Sequence, residues 1–314
     1  MNINSRYSGV IFGACYGIVI RMFVGISAFG NFYNIYSISF IWITPIIISV
    51  IPVFISSNEL YKSKINSFFF PIMAVMVFGL VALLTGLEDF LCLLILGLPF
   101  LIASGLVGLI IGAIIKGRKI NKKLYSIVLI PLFFNPIENL FPNQSDRYVV
   151  ENKITIHENA ATVWNNIIEV PEISEEEYSY GFLNYAGVPR PIKSALEMKD
   201  GIEYRVGYFS ENIKLYETIS EREENRFVNF KMHMDKSQLR NKPTDQHLLK
   251  SKNFNFENIS YQLIATGLNI TELTLRCEYE IESKMNGYAN FWAEMIINDF
   301  EVRLLETLKL KIEK

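Results

Sequence analysis

NGYANFWAEMIINDFEVRLLETLKLKIEK, residues 286–314, decides how the second half of this chain folds. The stretch is long enough for about eight helical turns, has no proline and no interior glycine, and is built largely from good helix formers. At 3.6 residues per turn, Tyr288, Phe291, Trp292, Met295, Ile296 and Val302 fall on one side, an aromatic-rich stripe that needs a cover. Immediately upstream the chain alternates apolar and polar residues, and a twisted antiparallel sheet is the natural surface for such a helix to close.

The strands can be counted outward from that helix. Residues 193–199, 202–209, 212–221, 226–234, 254–266 and 270–283 alternate and are joined by turn residues such as Asp200-Gly201 and Gly267. A further strand at 148–157 makes seven. After it, Asn159 is placed to cap a helix whose Val163, Trp164, Ile167 and Ile168 share one side, and Pro171 ends that helix. Residues 172–177 read as a short acidic helix with a solvated face. The lysine-rich interruption 235–253 reads as a mobile loop over one mouth of the fold.

The first half is different material. Hydrophobic residues make up 50% of the chain and charged residues 20%, and the charges are concentrated after residue 142, which implies two domains. Residues 1–141 read as a transmembrane domain of four to five helices, with spans at 8–29, 38–55, 68–87 and 90–115, the last able to bend at Pro99. Residues 27–30 supply no clean cleavage site, so the first span reads as retained rather than as a signal peptide. A fifth segment, 124–141, either spans or re-enters. Residues 142–147, PNQSDR, form the expected linker, and 148–314 the soluble domain. Arg6, Lys62, Lys64 and the cluster Lys116, Arg118, Lys119, Lys122 and Lys123 occupy alternate connections, which puts them on the cytoplasmic side of a bacterial cytoplasmic membrane. If 124–141 spans, the soluble domain is extracytoplasmic; if it re-enters, the domain is cytoplasmic.

Three polar or small-residue features stand out in this block. Ser104, Gly108 and Gly112 recur every fourth residue, which suits close helix packing, either within the bundle or in self-association. Arg21 and Glu138 are costly in hydrocarbon. Each lies 13 or 14 residues into its segment, roughly 20 Å up at 1.5 Å per residue if both segments run the same way, so the two either pair or snorkel to the interface.

Searches for chemistry exclude more than they find. A net charge of −2 gives no reason to expect nucleic acid. Cys15, Cys92 and Cys277, like His157, His233 and His247, are too scattered for a disulfide framework or a metal site, and no cofactor motif is present. What remains is polar residues on faces that the pattern buries. Glu217 interrupts the alternation Ile213, Leu215, Glu217, Ile219, and Asp299 projects onto the Trp292 and Met295 side of the last helix. Arg190 and Arg205 are the cations placed to partner them, in structural ion pairs or in a ligand site with Tyr279 and Trp292 as apolar wall.

The opening strand leading into ENAATVWNNI, the six-strand run, and the terminal helix with GYANFWAEMI together resemble the START-like helix-grip superfamily, or SRPBCC, which includes polyketide cyclase/dehydrase and lipid-transport proteins. The resemblance covers residues 148–314 and none of the membrane block. It implies a deep apolar cavity between sheet and terminal helix. The expected architecture is therefore an all-α transmembrane bundle followed by an α+β helix-grip domain. Three functions are compatible: a membrane-anchored module holding a lipid or other hydrophobic small molecule, a cyclase- or dehydratase-type enzyme using Glu217 or Asp299, or a membrane sensor or assembly partner.

Overall fold

Apolar runs punctuated by polar turns dictate the first part of the chain. The computed structural model describes residues 7–25, 37–55, 61, 63–117, 129–251 and 253–314, and its contacts divide into two units, Met1–Asn143 and Gln144–Lys314. Arg6, Lys62, the loop near residues 31–34, the end of the first expected span, and residues 118–128 lie outside the described residues. In the first unit the described helices are α1 (Ser8–Gly25), α2 (Thr44–Ile55), α3 (Lys64–Leu84), α4 (Phe90–Gly117) and α5 (Ile130–Glu138). A π-helical turn, Ser39–Ile43, leads into α2, and α4 runs as one helix through Pro99. Lys64–Leu84 and Phe90–Ile114 are long and apolar enough to cross a membrane, whereas Ser8–Phe23 and Ser39–Ile55 are shorter apolar helices.

For this unit the structure bears out one reading of the small-residue stripe and corrects the expected pairing of Arg21. The small-residue stripe on α4 is filled from within: a Cβ at Gly108 would overlap the Ser67 carbonyl oxygen, one at Gly112 would overlap the Ser67 hydroxyl, and Ser104 is fully buried. Of the two readings, packing within the bundle is the one seen, with α3 of the same chain against this face. Arg21 pairs with Glu88, in the turn between α3 and α4, and not with Glu138, and its Nη2 also donates to the Leu87 carbonyl at 2.9 Å. Glu138 instead accepts from the backbone N–H of Ile38 at 2.8 Å and of Ser39 at 2.9 Å. Equal depth does not make two side chains neighbours. The free N–H groups at a helix start already satisfy Glu138, and its charge suits the positive end of that helix.

The Arg21–Glu88 pair is buried on both sides, so removing the Glu88 charge takes a close countercharge from a buried guanidinium. Glu88→Gln is expected to destabilise the first unit by about 3 kcal/mol, and the double change Arg21→Met with Glu88→Leu to recover most of that loss. Thermal unfolding of the full chain in detergent measures both; a double variant no better than the single would show that the pair is not the determinant.

In the second unit the alternation becomes one seven-stranded sheet. Its strands are β1 (Gln144–Ile156), β2 (Pro191–Lys199), β3 (Ile202–Phe209), β4 (Ile213–Glu223), β5 (Phe227–Met232), β6 (Phe254–Gly267) and β7 (Ile270–Ser283). Every pairing is antiparallel, in the order β1-β7-β6-β5-β4-β3-β2. Asp200 and Gly201, with φ of 54° and 77°, make the tight left-handed turn from β2 to β3. β1 begins at Gln144, inside the expected linker, because residues 144–147 pair with residues 283–280 of β7.

Two helices separate β1 from β2. In α6 (Ala160–Ile168) Asn159 accepts from the Thr162 N–H, and Val163, Trp164, Ile167 and Ile168 are buried, as the pattern required. The second short helix is α7 (Phe182–Ala186) and not residues 172–177. There Glu177 accepts from the Ser174 N–H, Lys311 and Lys314, contacts that fix a turn and hold its carboxyl at about 2, well below the usual range. The 235–253 segment is also more structured than its composition suggested. Arg240 forks onto Asp245 at 2.7 and 3.0 Å, donates to the Gly187 carbonyl at 2.9 Å and meets Glu211 at 2.9 Å.

The terminal helix α8 (Asn286–Ile312) forms without interruption, but turned from the expected orientation. Its buried face is Asn286, Ile297, Glu301, Leu304, Leu305, Leu308 and Ile312, with Trp292 buried at the flank, whereas Phe291, Met295 and Val302 are exposed. Small residues decide this. Ala289 and Ala293, each one turn further on, let the first half of the helix approach the sheet and pack with Val150, Cys277, Tyr279, Ile281 and Ile297. The last turns pack a second cluster, in which Leu304, Leu305, Leu308 and Ile312 meet Ile156, Trp164, Phe230, Leu263 and Leu273.

Candidate functional site

Between those two clusters lies a belt of polar groups. On α8 it is Glu301, one turn after Ile297 and one before Leu305; on β1 it is Asn152, between Val150 and Ile154. Asn152 Nδ2 donates to Glu301 Oε2 at 2.8 Å and to Asn298 Oδ1 at 3.1 Å. Glu301 is 2% exposed, and its second oxygen, Oε1, has no hydrogen-bond partner. Burial, reinforced by the nearby Glu151 and only partly opposed by Asn152, pushes its carboxyl up to about 8.

The sheet side of the belt is an ion pair. Arg205 on β3 faces Glu217 on β4 in register, and its Nη1 meets Glu217 Oε2 at 2.5 Å. The same guanidinium donates to the last carbonyls of α6, Ile168 at 3.0 Å and Ile167 at 3.1 Å, and lies 4.6 Å over the Phe230 ring. Burial works against the Arg205 charge, but Glu217 and Tyr261 more than offset it, so its pKa lies above the ordinary value. Tyr261 is pushed up to about 12, chiefly by burial, and it interacts with Arg205, Glu217 and Glu301. The Cys277 thiol is raised by burial and by the same carboxylates, so it is no thiolate nucleophile.

Of the residues singled out from sequence, the structure brings Glu217 and Arg205 together and separates the others from them. Asp299 is forked with Arg303 one turn on, both bonds at 2.9 Å, and Arg303 also holds the Ser179 carbonyl at 2.8 Å. Arg190 donates to the Ile173 carbonyl at 3.0 Å and approaches Glu175 at 3.5 Å, away from Asp299 and Glu217 as partners. Tyr279 is buried, stacked with Tyr148 and Phe254, and donates to Asn290 Oδ1 at 2.9 Å. Trp292 is buried beside Phe291, and Met295 is exposed.

The sequence reading missed Glu301 and Asn152. The signal was there: the leucines of LLETLKL, read backward one turn at a time, place Glu301 on the buried face, and the even positions Val150, Ile154 and Ile156 place Asn152 inward.

No protein-family model and no curated protein matches this chain. Solved structures do. An aromatase/cyclase from Streptomyces sp. R1128 is 13% identical with a TM-score of 0.35, covering 54% of this chain and 94% of that one. A START superfamily protein from Mycobacterium smegmatis is 10% identical with a TM-score of 0.36, covering 52% and 97%. Truncated norcoclaurine synthase from Thalictrum flavum is 11% identical with a TM-score of 0.34, covering 55% and 97%. By its own element order, one strand, two short helices, six strands and a long helix laid on a single antiparallel sheet, Gln144–Lys314 fits a helix-grip domain.

Proposed function

We propose that Gln144–Lys314 is a binding module for a hydrophobic small molecule, and that the apolar helices of Met1–Asn143 hold it at a lipid bilayer. The observation that carries this reading is the inner face of α8, where Glu301 lies between an apolar stretch of Ala289, Ala293 and Ile297 and another of Leu304, Leu305, Leu308 and Ile312. Such a surface suits a ligand that is mostly hydrocarbon with one polar point. Mass spectrometry of the detergent-extracted full chain tests it. A hydrophobic molecule is expected to co-purify in near-stoichiometric amount; a folded protein carrying nothing beyond bulk lipid overturns the reading. A cyclase- or dehydratase-type activity is the second reading. Its acid would be Glu301, because Glu217 and Asp299 are each bound to an arginine.

Contacts within the first unit favour one side of the membrane for the soluble domain. Lys64 opens α3 and Lys116 lies in the last turn of α4, so both basic connections fall at one end of the helices. Glu138 binds the N–H groups of Ile38 and Ser39, which belong to the connection at the other end. We infer from this that the soluble domain is extracytoplasmic. A cysteine at Lys242, in a chain with the exposed Cys15 replaced by Ser, is expected to react with an impermeant thiol reagent in cells whose inner membrane is intact. Labelling only after that membrane is broken would place the domain in the cytoplasm.

A further inference from the structure

The Glu301 carboxyl is half used. Oε2 is held by Asn152, which spends its other amide proton on Asn298, while Oε1 is buried without a partner between two apolar clusters. A buried polar atom left unsatisfied is costly, and proteins retain such groups where a ligand completes them. The charges around it close among themselves: Arg205 and Glu217 neutralise each other, Glu151 meets Lys153 at 3.6 Å, and Asn152 is neutral.

We propose that Glu301 is the polar anchor of an uncharged amphipathic molecule, its Oε1 hydroxyl donating to a hydroxyl or carbonyl oxygen while the ligand's hydrocarbon lies along the apolar residues on either side. This rests on the binding-module reading above and names the ligand class for it. Because Oε2 accepts from Asn152, the proton of the neutral acid belongs on Oε1. Burial keeps that acid largely protonated at neutral pH, with Glu151 acting in the same direction. A cationic head would need the carboxylate, and an anionic head would meet no unpaired positive charge in the belt, since Arg205 is already bound to Glu217.

The test uses the full-length protein in nonionic micelles at about pH 6, with radiolabelled hexadecanol, hexadecane and hexadecylamine. Hexadecanol is expected to be retained about tenfold better than hexadecane, the effect of one buried hydrogen bond. Glu301→Gln, whose amide still donates, keeps most of that preference, and Glu301→Leu loses it. The infrared difference spectrum on adding hexadecanol is expected to show a shifted C=O stretch of a protonated carboxyl, absent in Glu301→Gln. Equal retention of hexadecanol and hexadecane above the micelle background, or no such band, overturns the anchor and leaves hydrophobic binding standing. A preference for hexadecylamine overturns the uncharged class. Background retention of all three overturns the binding module as well. The comparison of probes on the wild-type protein stands even if a variant does not fold.

Discussion

Arg205→Met is expected to destabilise the helix-grip domain by about 3 to 5 kcal/mol, the range found when one partner of a buried ion pair is removed. Three losses coincide. Glu217, 4% exposed, is left with a buried carboxylate that has lost its cation; the carbonyls of Ile167 and Ile168 lose their donors at the end of α6; and Phe230 loses the cation over its ring. For a domain of this size the melting temperature should fall by roughly 10 °C or more. The double change Arg205→Met with Glu217→Met should recover part of the loss, but not the part belonging to the α6 carbonyls. Glu217→Gln should lower stability while leaving any bound molecule in place. A ligand lost from a folded Glu217→Gln protein would mean that Glu217 touches it.

The second large effect is a pH dependence. Glu301 rises from an ordinary 4.5 to about 8 on folding, so between those values the folded state holds a proton that the unfolded state has released. Stability contributed by this group is therefore greatest below about pH 4.5, falls as pH rises toward 8, and is level above. The full shift corresponds to at most roughly 4 to 5 kcal/mol, roughly 10 °C or more of melting temperature. Glu177 acts with the opposite sign and in another window, since its lowered pKa makes stability fall as pH drops below 4.5 toward about 2. Unfolding followed by tryptophan fluorescence, with Trp42 replaced by Phe so that Trp164 and Trp292 report, should show a decline between about pH 5 and 8 that is flat in Glu301→Gln. An unchanged slope in that variant would assign the titration elsewhere.

How much of this was legible in the sequence depends on the range of the interaction. Seven strands, the Asn159 cap and the buried side of α6 all rest on period and local chemistry, and they appear in the structure within a few residues. The orientation of α8 was not legible from its aromatic residues. The sheet selects a helix face by how closely it can approach, and alanines at 289 and 293 outrank a heavier stripe of Phe291 and Met295. Partners across long separations were beyond pattern altogether. Glu217 was identifiable as a buried acid, but nothing local says that Arg205 would reach it through the end of α6, or that Arg21 would prefer Glu88 to Glu138. Glu301 was hidden because Asp299, two residues away, satisfied the wrong face.

β1 is hydrogen-bonded to β7 and lies at the edge of the sheet, with Gln144 opposite Ser283 and Ile156 opposite Thr271. A ribosome adding about 5 to 20 residues per second needs roughly 6 to 25 s to reach β7 after finishing β1. For that interval β1 is an unpaired thirteen-residue strand, with the buried side chains of α6 uncovered beside it. The sheet thus cannot be completed until β7 has been made. Nascent chains stalled before residue 270 should be captured by holding chaperones, and chains extended beyond α8 should escape them.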